Sequence, residues 1–435
     1  MTPSLAPTRR DLLAGLAGAG LGLGAEATGA PGMVYGAADL VDSVGVNMHL
    51  GNNSTPYVPQ FDRVVLPAID ELGVMHARED VSWFPDLKRK APEIQRLRTL
   101  GSKGITFSVV CFDRLNGYIF TPPESLPDIF EALDGRIDIF EGSNEPNLQN
   151  SPARAAISAE HQAALYRTVK ASPDLKGVKL AGPSYVLQSR EVARNLSRFV
   201  DYGNIHPYPG NEHPEAQTPG GLQASMDASR RIFGDAPMIV TEDGYHTALR
   251  TPSFHFPVSE AIKARYLPRM LLWNFINGVP RTYLYEFMSS FAPSDTNVES
   301  RFGLVGFGGD KTPSFYAVKS LLDVFSDKAP GGRRAAVAPT RLLVPGPGLQ
   351  TASFRRADGA NLFAIWLAAP GWDSGAKAAR PMQSRKVRLA LAGAAGMARA
   401  HRIGDDGQRM VARLNPVGGM AEIDVADNLT VIETW

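Results

Sequence analysis

The chain has a single cysteine, Cys111, so no internal disulfide can form. It closes the apolar run Thr106-Phe107-Ser108-Val109-Val110, which points to a buried strand residue, and no nucleophile motif surrounds it. The 8 histidines form no His-x-His or His-Glu-x-x-His pair, so spacing offers no metal site. Also missing are the Gly-x-Ser-x-Gly elbow of serine hydrolases and the glycine-rich cradles that hold phosphates. Net charge is only +1 over 435 residues, whereas nucleic-acid binders concentrate basic charge. The weakly apolar run from Ala14 to Gly24 is too short to span a bilayer. No metal, organic cofactor or nucleic-acid partner is therefore expected.

What remains is ordinary globular composition, 44% hydrophobic and 20% charged. Its length suits a barrel of about 250 residues with a smaller partner. Residues 1–30 read as a leader: Thr8-Arg9-Arg10-Asp11-Leu12-Leu13 precedes the Gly/Ala/Leu run, and Ala25-Glu26-Ala27 offers a small-residue cleavage site. This resembles a twin-arginine signal, which implies export, already folded, to the periplasm or beyond. No stable membrane association is expected once it is removed.

From about residue 40 to 325, short apolar runs alternate with longer amphipathic stretches, the pattern of repeated strand–helix units. Eight strands are expected, at 43–49, 74–78, 106–111, 137–141, 178–182, 203–208, 238–242 and 281–286. Helices are expected at 67–72 (stopped by Gly73), 159–171 and 261–276. Eight such units predict an α/β fold, a closed (β/α)₈ TIM barrel over 31–328, with an open doubly wound sheet as the competitor. Lys328 to Arg334 reads as a linker. Beyond it, runs at 350–355, 362–367, 386–391, 421–425 and 429–434 predict an antiparallel β-sandwich over 335–435. Asp358-Gly359 suits a hairpin turn, and residues 31–42 could add an edge strand to the sandwich.

Two acidic motifs fall at expected strand ends: Phe140-Glu141-Gly142-Ser143-Asn144-Glu145-Pro146-Asn147 and Met238-Ile239-Val240-Thr241-Glu242-Asp243. In a barrel both glutamates lie on the face that carries active sites. Two carboxylates delivered into one cleft are what glycosidic cleavage needs: an acid for the departing oxygen and a second carboxylate to attack carbon or activate water. Asp243 is the rival to Glu242. Pro146 disfavours the right-handed helical region for Glu145.

Asn144-Glu145-Pro146 after strand four, with Glu242 ending strand seven, resembles the clan A retaining glycoside hydrolases. It is most similar to the branch of β-xylosidases and α-L-iduronidases, which also carries an appended sandwich. The resemblance implies Glu145 as acid/base, Glu242 as nucleophile, and a poly- or oligosaccharide substrate. Gly142-Ser143 stands where such enzymes commonly place a bulkier residue and a tryptophan. The resemblance further implies that Arg78 keeps the nucleophile ionised. It also implies that His206-Pro207-Tyr208 brings a histidine to the sugar or acid/base and a tyrosine to the nucleophile. Asn144 is placed to contact the sugar 2-hydroxyl. Arg78 could instead pair with Glu79 or Asp80 on the surface.

Asn47 and His49 are expected to reach the cleft floor from strand one. At strand eight, Glu286 could meet a hydroxyl, or Tyr285 or Phe287 could supply a stacking surface. Glu141 is expected to be a buried partner of Arg78 or His49. A transglycosylase would use the same residues, and a glycan-binding protein without catalysis is the reading from another class.

Overall fold

The computed structural model describes residues 33–81, 91–115, 117–147, 151–186, 191–253, 255–327, 339–391 and 398–435. The leader and linker readings lie outside these. Eight parallel strands form one sheet: Val44–Asn47, His76–Asp80, Thr106–Val110, Ile137–Glu141, Lys179–Ala181, Gly203–Ile205, Met238–Asp243 and Thr282–Leu284. They are strands one to eight below. Strand one pairs with both two and eight. A single parallel bridge, Ala181 to Tyr202, joins strand five to the approach of strand six and closes the ring. Strands one and seven are buried along their whole length, as expected where helices cover the outside and side chains fill the inside.

Helices return the chain between strands, and local sequence sets their ends. Leu66–Leu72 has Pro67 in its first turn and stops at Gly73, whose φ of 82° is open to glycine at little cost. Pro152–Ala171 starts where the Ser151 side chain accepts from the Arg154 amide. Glu260–Ile276 begins in the same way at Ser259. Among the described residues, no helix is long and apolar enough to cross a membrane. Cys111 is buried, and burial pushes its thiol pKa up, so it is unsuited to act as a nucleophile.

The C-terminal region is a six-stranded sheet facing a three-stranded one. The larger sheet runs in the order Val34–Gly36, Leu349–Arg355, Asn361–Leu367, Thr430–Thr434, Ala398–Ile403, Arg409–Leu414; the smaller holds Arg341–Leu342, Ser384–Ala390 and Met420–Ala426. Val34–Gly36 joins in parallel with Leu349–Arg355 before the chain enters the barrel. The strands at Ala398–Ile403 and Arg409–Leu414 escaped the sequence reading. The second of these, Arg-Met-Val-Ala-Arg-Leu, is an edge strand exposed over most of its length, so no burial pattern marks it.

Asn361–Leu367 is buried at every position. Its alternate faces explain why. Phe363, Ile365 and Leu367 pack into the sandwich core with Val387, Leu389 and Ile423. Leu362, Ala364 and Trp366 belong to the core that continues into the barrel. The larger sheet thus has no wet face along this strand.

Candidate active site

The site begins with Arg78 on strand two. Its guanidinium makes five hydrogen bonds: Nε and Nη2 to the two oxygens of Glu141 (both 2.7 Å), Nη2 to Asn144 Oδ1 (2.8 Å), and Nη1 to Asn47 Oδ1 (2.9 Å) and Glu242 Oε1 (2.8 Å). That uses every donor the group has. Burial alone would lower the Arg78 pKa, but the charges of Glu141 and Glu242 outweigh it and raise the value further. Glu79, the alternative surface partner, turns away and accepts the Leu50 amide at 2.8 Å.

Glu242 is therefore held by a cation on one oxygen. The other oxygen accepts from the Tyr208 hydroxyl at 2.8 Å. Glu145 lies across from it, with His206 Nδ1 at 3.1 Å from Glu145 Oε1 and 3.6 Å from Glu242 Oε2. One oxygen of Glu145, one of Glu242 and a nitrogen of His206 all fall within 4.8 Å of one another. That span could also admit a metal ion, but the Arg78 guanidinium already bonded to Glu242 would oppose a second cation there. Glu145 and Glu242 are 7% and 3% exposed.

A register irregularity aims strand seven. Val240 pairs with Thr282 and Asp243 with Leu284, so strand seven carries one residue more than its neighbour over that stretch. Such a bulge breaks the alternation of faces. Thr241 and Glu242 consequently both reach inward. The Thr241 hydroxyl lies 2.9 Å from His206 Nε2, 2.8 Å from Asn204 Oδ1 and 3.1 Å from Glu141 Oε1. Asp243 turns outward, where Asn274 Nδ2 donates to it at 3.1 Å and the Gly244 amide at 2.9 Å. This separates Glu242 from its rival. Thr241, Asn204 and Ser184 were missed by sequence reasoning; Asn204, two residues before His206 in an apolar strand, was the one legible signal among them.

Burial raises the Asp243 pKa to about 8, against the lowering effect of the Asn274 and Gly244 bonds. An acid whose folded pKa lies above its unfolded value of about 3.9 makes stability fall as pH rises between the two. Asp243→Asn should flatten that decline from about pH 4 to pH 8, measured as urea midpoints across the range. An unchanged slope would refute the assignment.

Glu145 has φ of 45°. It has left the right-handed helical region, as Pro146 demands, but for the left-handed quadrant that non-glycine residues seldom occupy, at a cost of roughly 1–3 kcal/mol. Its amide donates to Ser184 Oγ at 3.2 Å, and Ser184 Oγ in turn donates to Asn144 Oδ1 at 3.2 Å. Gly142 has a packing reason: a Cβ there would sit 2.2 Å from Gln162 Oε1 and 2.8 Å from Pro183 N. No bulkier residue fits.

On the far side, Asn47 is buried, and its Nδ2 donates to the Thr241 carbonyl at 3.0 Å. Glu286 is 0% exposed; it accepts from the Ser290 amide and hydroxyl and lies 3.2 Å from His49 Nε2. It braces His49 rather than opening to solvent. Burial would lower the His49 pKa, but the Glu286 carboxylate outweighs it and lifts the value to about 9. The part-exposed His49 ring meets Tyr57 and Tyr285 edge-on. Tyr285 stays partly open, with its hydroxyl on Glu299 at 3.0 Å, whereas Phe287 is in the core.

No family model matches this sequence, and no curated protein matches it significantly. Solved structures do. A family 39 glycoside hydrolase from the gut symbiont Bacteroides cellulosilyticus WH2 superposes with TM-score 0.60 at 15% identity, covering 91% of this chain and 82% of that one. The catalytic domain of a glycoside hydrolase family 30 xylanase C from Talaromyces cellulolyticus gives 0.51 at 14% identity, over 90% and 96%. A 4-O-α-L-rhamnosyl-β-D-glucuronidase from Fusarium oxysporum 12S gives 0.51 at 12% identity, over 91% and 96%. At such identities what is shared is architecture: this chain has a (β/α)₈ barrel with a covering β-sandwich, a fold it holds in common with these glycoside hydrolases.

Proposed function

We propose that the chain is an exported glycoside hydrolase that cleaves a poly- or oligosaccharide with retention. The carrying observation is the environment of Glu242. One oxygen is bonded to Arg78 and the other to Tyr208, with a Glu145 oxygen within 4.8 Å. Retaining enzymes place their carboxyls about 5–5.5 Å apart, whereas inverting ones leave about 6.5–9.5 Å for a water. An oxygen-to-oxygen approach within 4.8 Å is compatible with the shorter arrangement, and the clan A likeness supports retention.

In the first step Glu242 attacks the anomeric carbon while Glu145 gives its proton to the departing glycosidic oxygen. In the second, Glu145 takes a proton from water, and the resulting oxygen nucleophile displaces Glu242 from carbon. Arg78 supports the carboxylate form of Glu242, as an adjacent cation does. His206, held at Nε2 by the Thr241 hydroxyl, fixes the Glu145 carboxyl through Nδ1. Asn144, next to the acid, is the candidate contact for the 2-hydroxyl, and Tyr285 for the sugar face. The same residues would serve transfer to a sugar hydroxyl instead of water. The branch likeness and the neighbouring solved enzymes support a glycan substrate, and the Thr8–Leu13 motif supports export.

A 2-fluoro glycoside with a good leaving group should esterify Glu242. Mass mapping should then find the adduct on the peptide containing that residue. A label elsewhere, or inverted product by NMR, would overturn the reading.

A further inference from the structure

Tyr208 reaches Glu242 from the loop after strand six, and that loop is gripped by the sandwich. Seven residues beyond Tyr208, Glu215 is buried, and its carboxylate meets four donors. Arg269 Nε lies at 3.0 Å, and Arg269 Nη2 makes a second, shorter contact. His213 Nδ1 is at 2.9 Å and Trp366 Nε1 at 2.6 Å. Arg269 comes from helix Glu260–Ile276 and Trp366 from the sandwich strand Asn361–Leu367. Arg269 Nη1 also donates to the Asp427 carbonyl at 2.8 Å. Beside it Arg265 bonds Asp405 and Asp427, again across the boundary. Burial would raise the Glu215 pKa, but the Arg269 charge and the His213 bond hold it down at about 2.

The loop between anchor and tyrosine has little slack. Tyr245 OH donates to the Glu212 carbonyl at 3.0 Å. Glu212 and Ala216 amides close turns on Pro209 and His213. A Cβ on Gly220 would fall 2.6 Å from the Tyr208 carbonyl. Displacing Glu215 therefore moves the backbone that carries Tyr208.

We infer that Trp366, Arg269 and Glu215 are positioning residues: through them the sandwich fixes the strand-six loop so that the Tyr208 hydroxyl meets the Glu242 carboxylate. This rests on the reading of Glu242 as nucleophile and gives the sandwich a part in the reaction. A misplacement of about 1 Å near the reacting atoms can cost about a hundredfold in rate. Loss of one of four donors should move the loop less.

Trp366→Phe keeps an aromatic ring in the sandwich core but removes the N–H donor together with the pyrrole half of the indole. It should lower kcat about three- to tenfold, mostly in kcat rather than KM. Tyr208→Phe should lower it more, and the double variant should match Tyr208→Phe alone, because both act through one contact. A merely structural anchor would give multiplying effects in the double variant, and that result overturns the inference. Hydrogen exchange supplies a second reading that needs no substrate. Peptides covering 206–221 should exchange faster in Trp366→Phe than in the parent, with the barrel strands unchanged. Unaltered exchange there would also overturn it. A responsive loop in a protein that cleaves no glycoside would instead sink the glycosidase reading and leave the anchoring intact.

Discussion

Glu242→Gln should lower kcat by at least about 10⁴-fold, on the scale seen when a covalent nucleophile is removed, without disturbing the fold. Glutamine keeps the volume, and its oxygen can still accept from Arg78 at the position Glu242 Oε1 occupies, 2.8 Å away. What is lost is the charge that bonds to carbon. Glu145→Ala should behave differently. Removing a general acid costs roughly 10²–10⁴-fold, and the loss should shrink on aryl glycosides whose leaving groups need no proton. Added azide should then restore turnover in Glu145→Ala and give the glycosyl azide of retained configuration. Initial rates and product NMR decide it. More than a few per cent of parent activity in Glu242→Gln, or no azide product from Glu145→Ala, would mean that the two roles are misassigned.

Arg78→Met should be the most damaging single change away from the two glutamates, in stability and in activity together. Arg78 faces two buried carboxylates, Glu141 at 0% exposure and Glu242 at 3%. Removing one partner from a buried ion pair typically costs about 3–5 kcal/mol, because a charge is left without compensation. Here Glu141 loses both charged bonds and, among the described residues, is left with Asn204 Nδ2 at 3.0 Å and the Thr241 hydroxyl. Urea unfolding should show the drop. Arg78→Met with Glu141→Gln should recover part of the stability, since one stranded charge is gone. It should not recover turnover, since Glu242 still lacks its cation. Recovery of both would mean that Arg78 is only a fold element.

The barrel was legible because parallel strands covered on both faces read as short apolar runs, and all eight lie within a few residues of the expected positions. The two glutamates were legible because each ends such a run. Arg78, His206 and Tyr208 came through the resemblance, and the structure brings all three against Glu145 or Glu242. What stayed hidden depends on three dimensions. The choice between Glu242 and Asp243 turns on a one-residue bulge that no local pattern announces. Glu286 looked like a cleft residue by position, yet the Ser290 and His49 contacts draw it inside. The Glu215 anchor joins residues from three separate stretches of chain and carries no motif at all.

The six-stranded sheet takes Val34–Gly36 from before the barrel and Thr430–Thr434 from near residue 435, the latter as an interior strand between Asn361–Leu367 and Ala398–Ile403. During translation the barrel segments emerge long before their cover is complete. Phe275 and Phe325 pack on Phe354 in the finished fold, so that flank lacks this cover until Phe354 is made, with Tyr35 its earlier neighbour at Phe275. The nascent protein therefore passes through a stage with apolar rings short of their final partners, the kind of exposure that favours aggregation over folding.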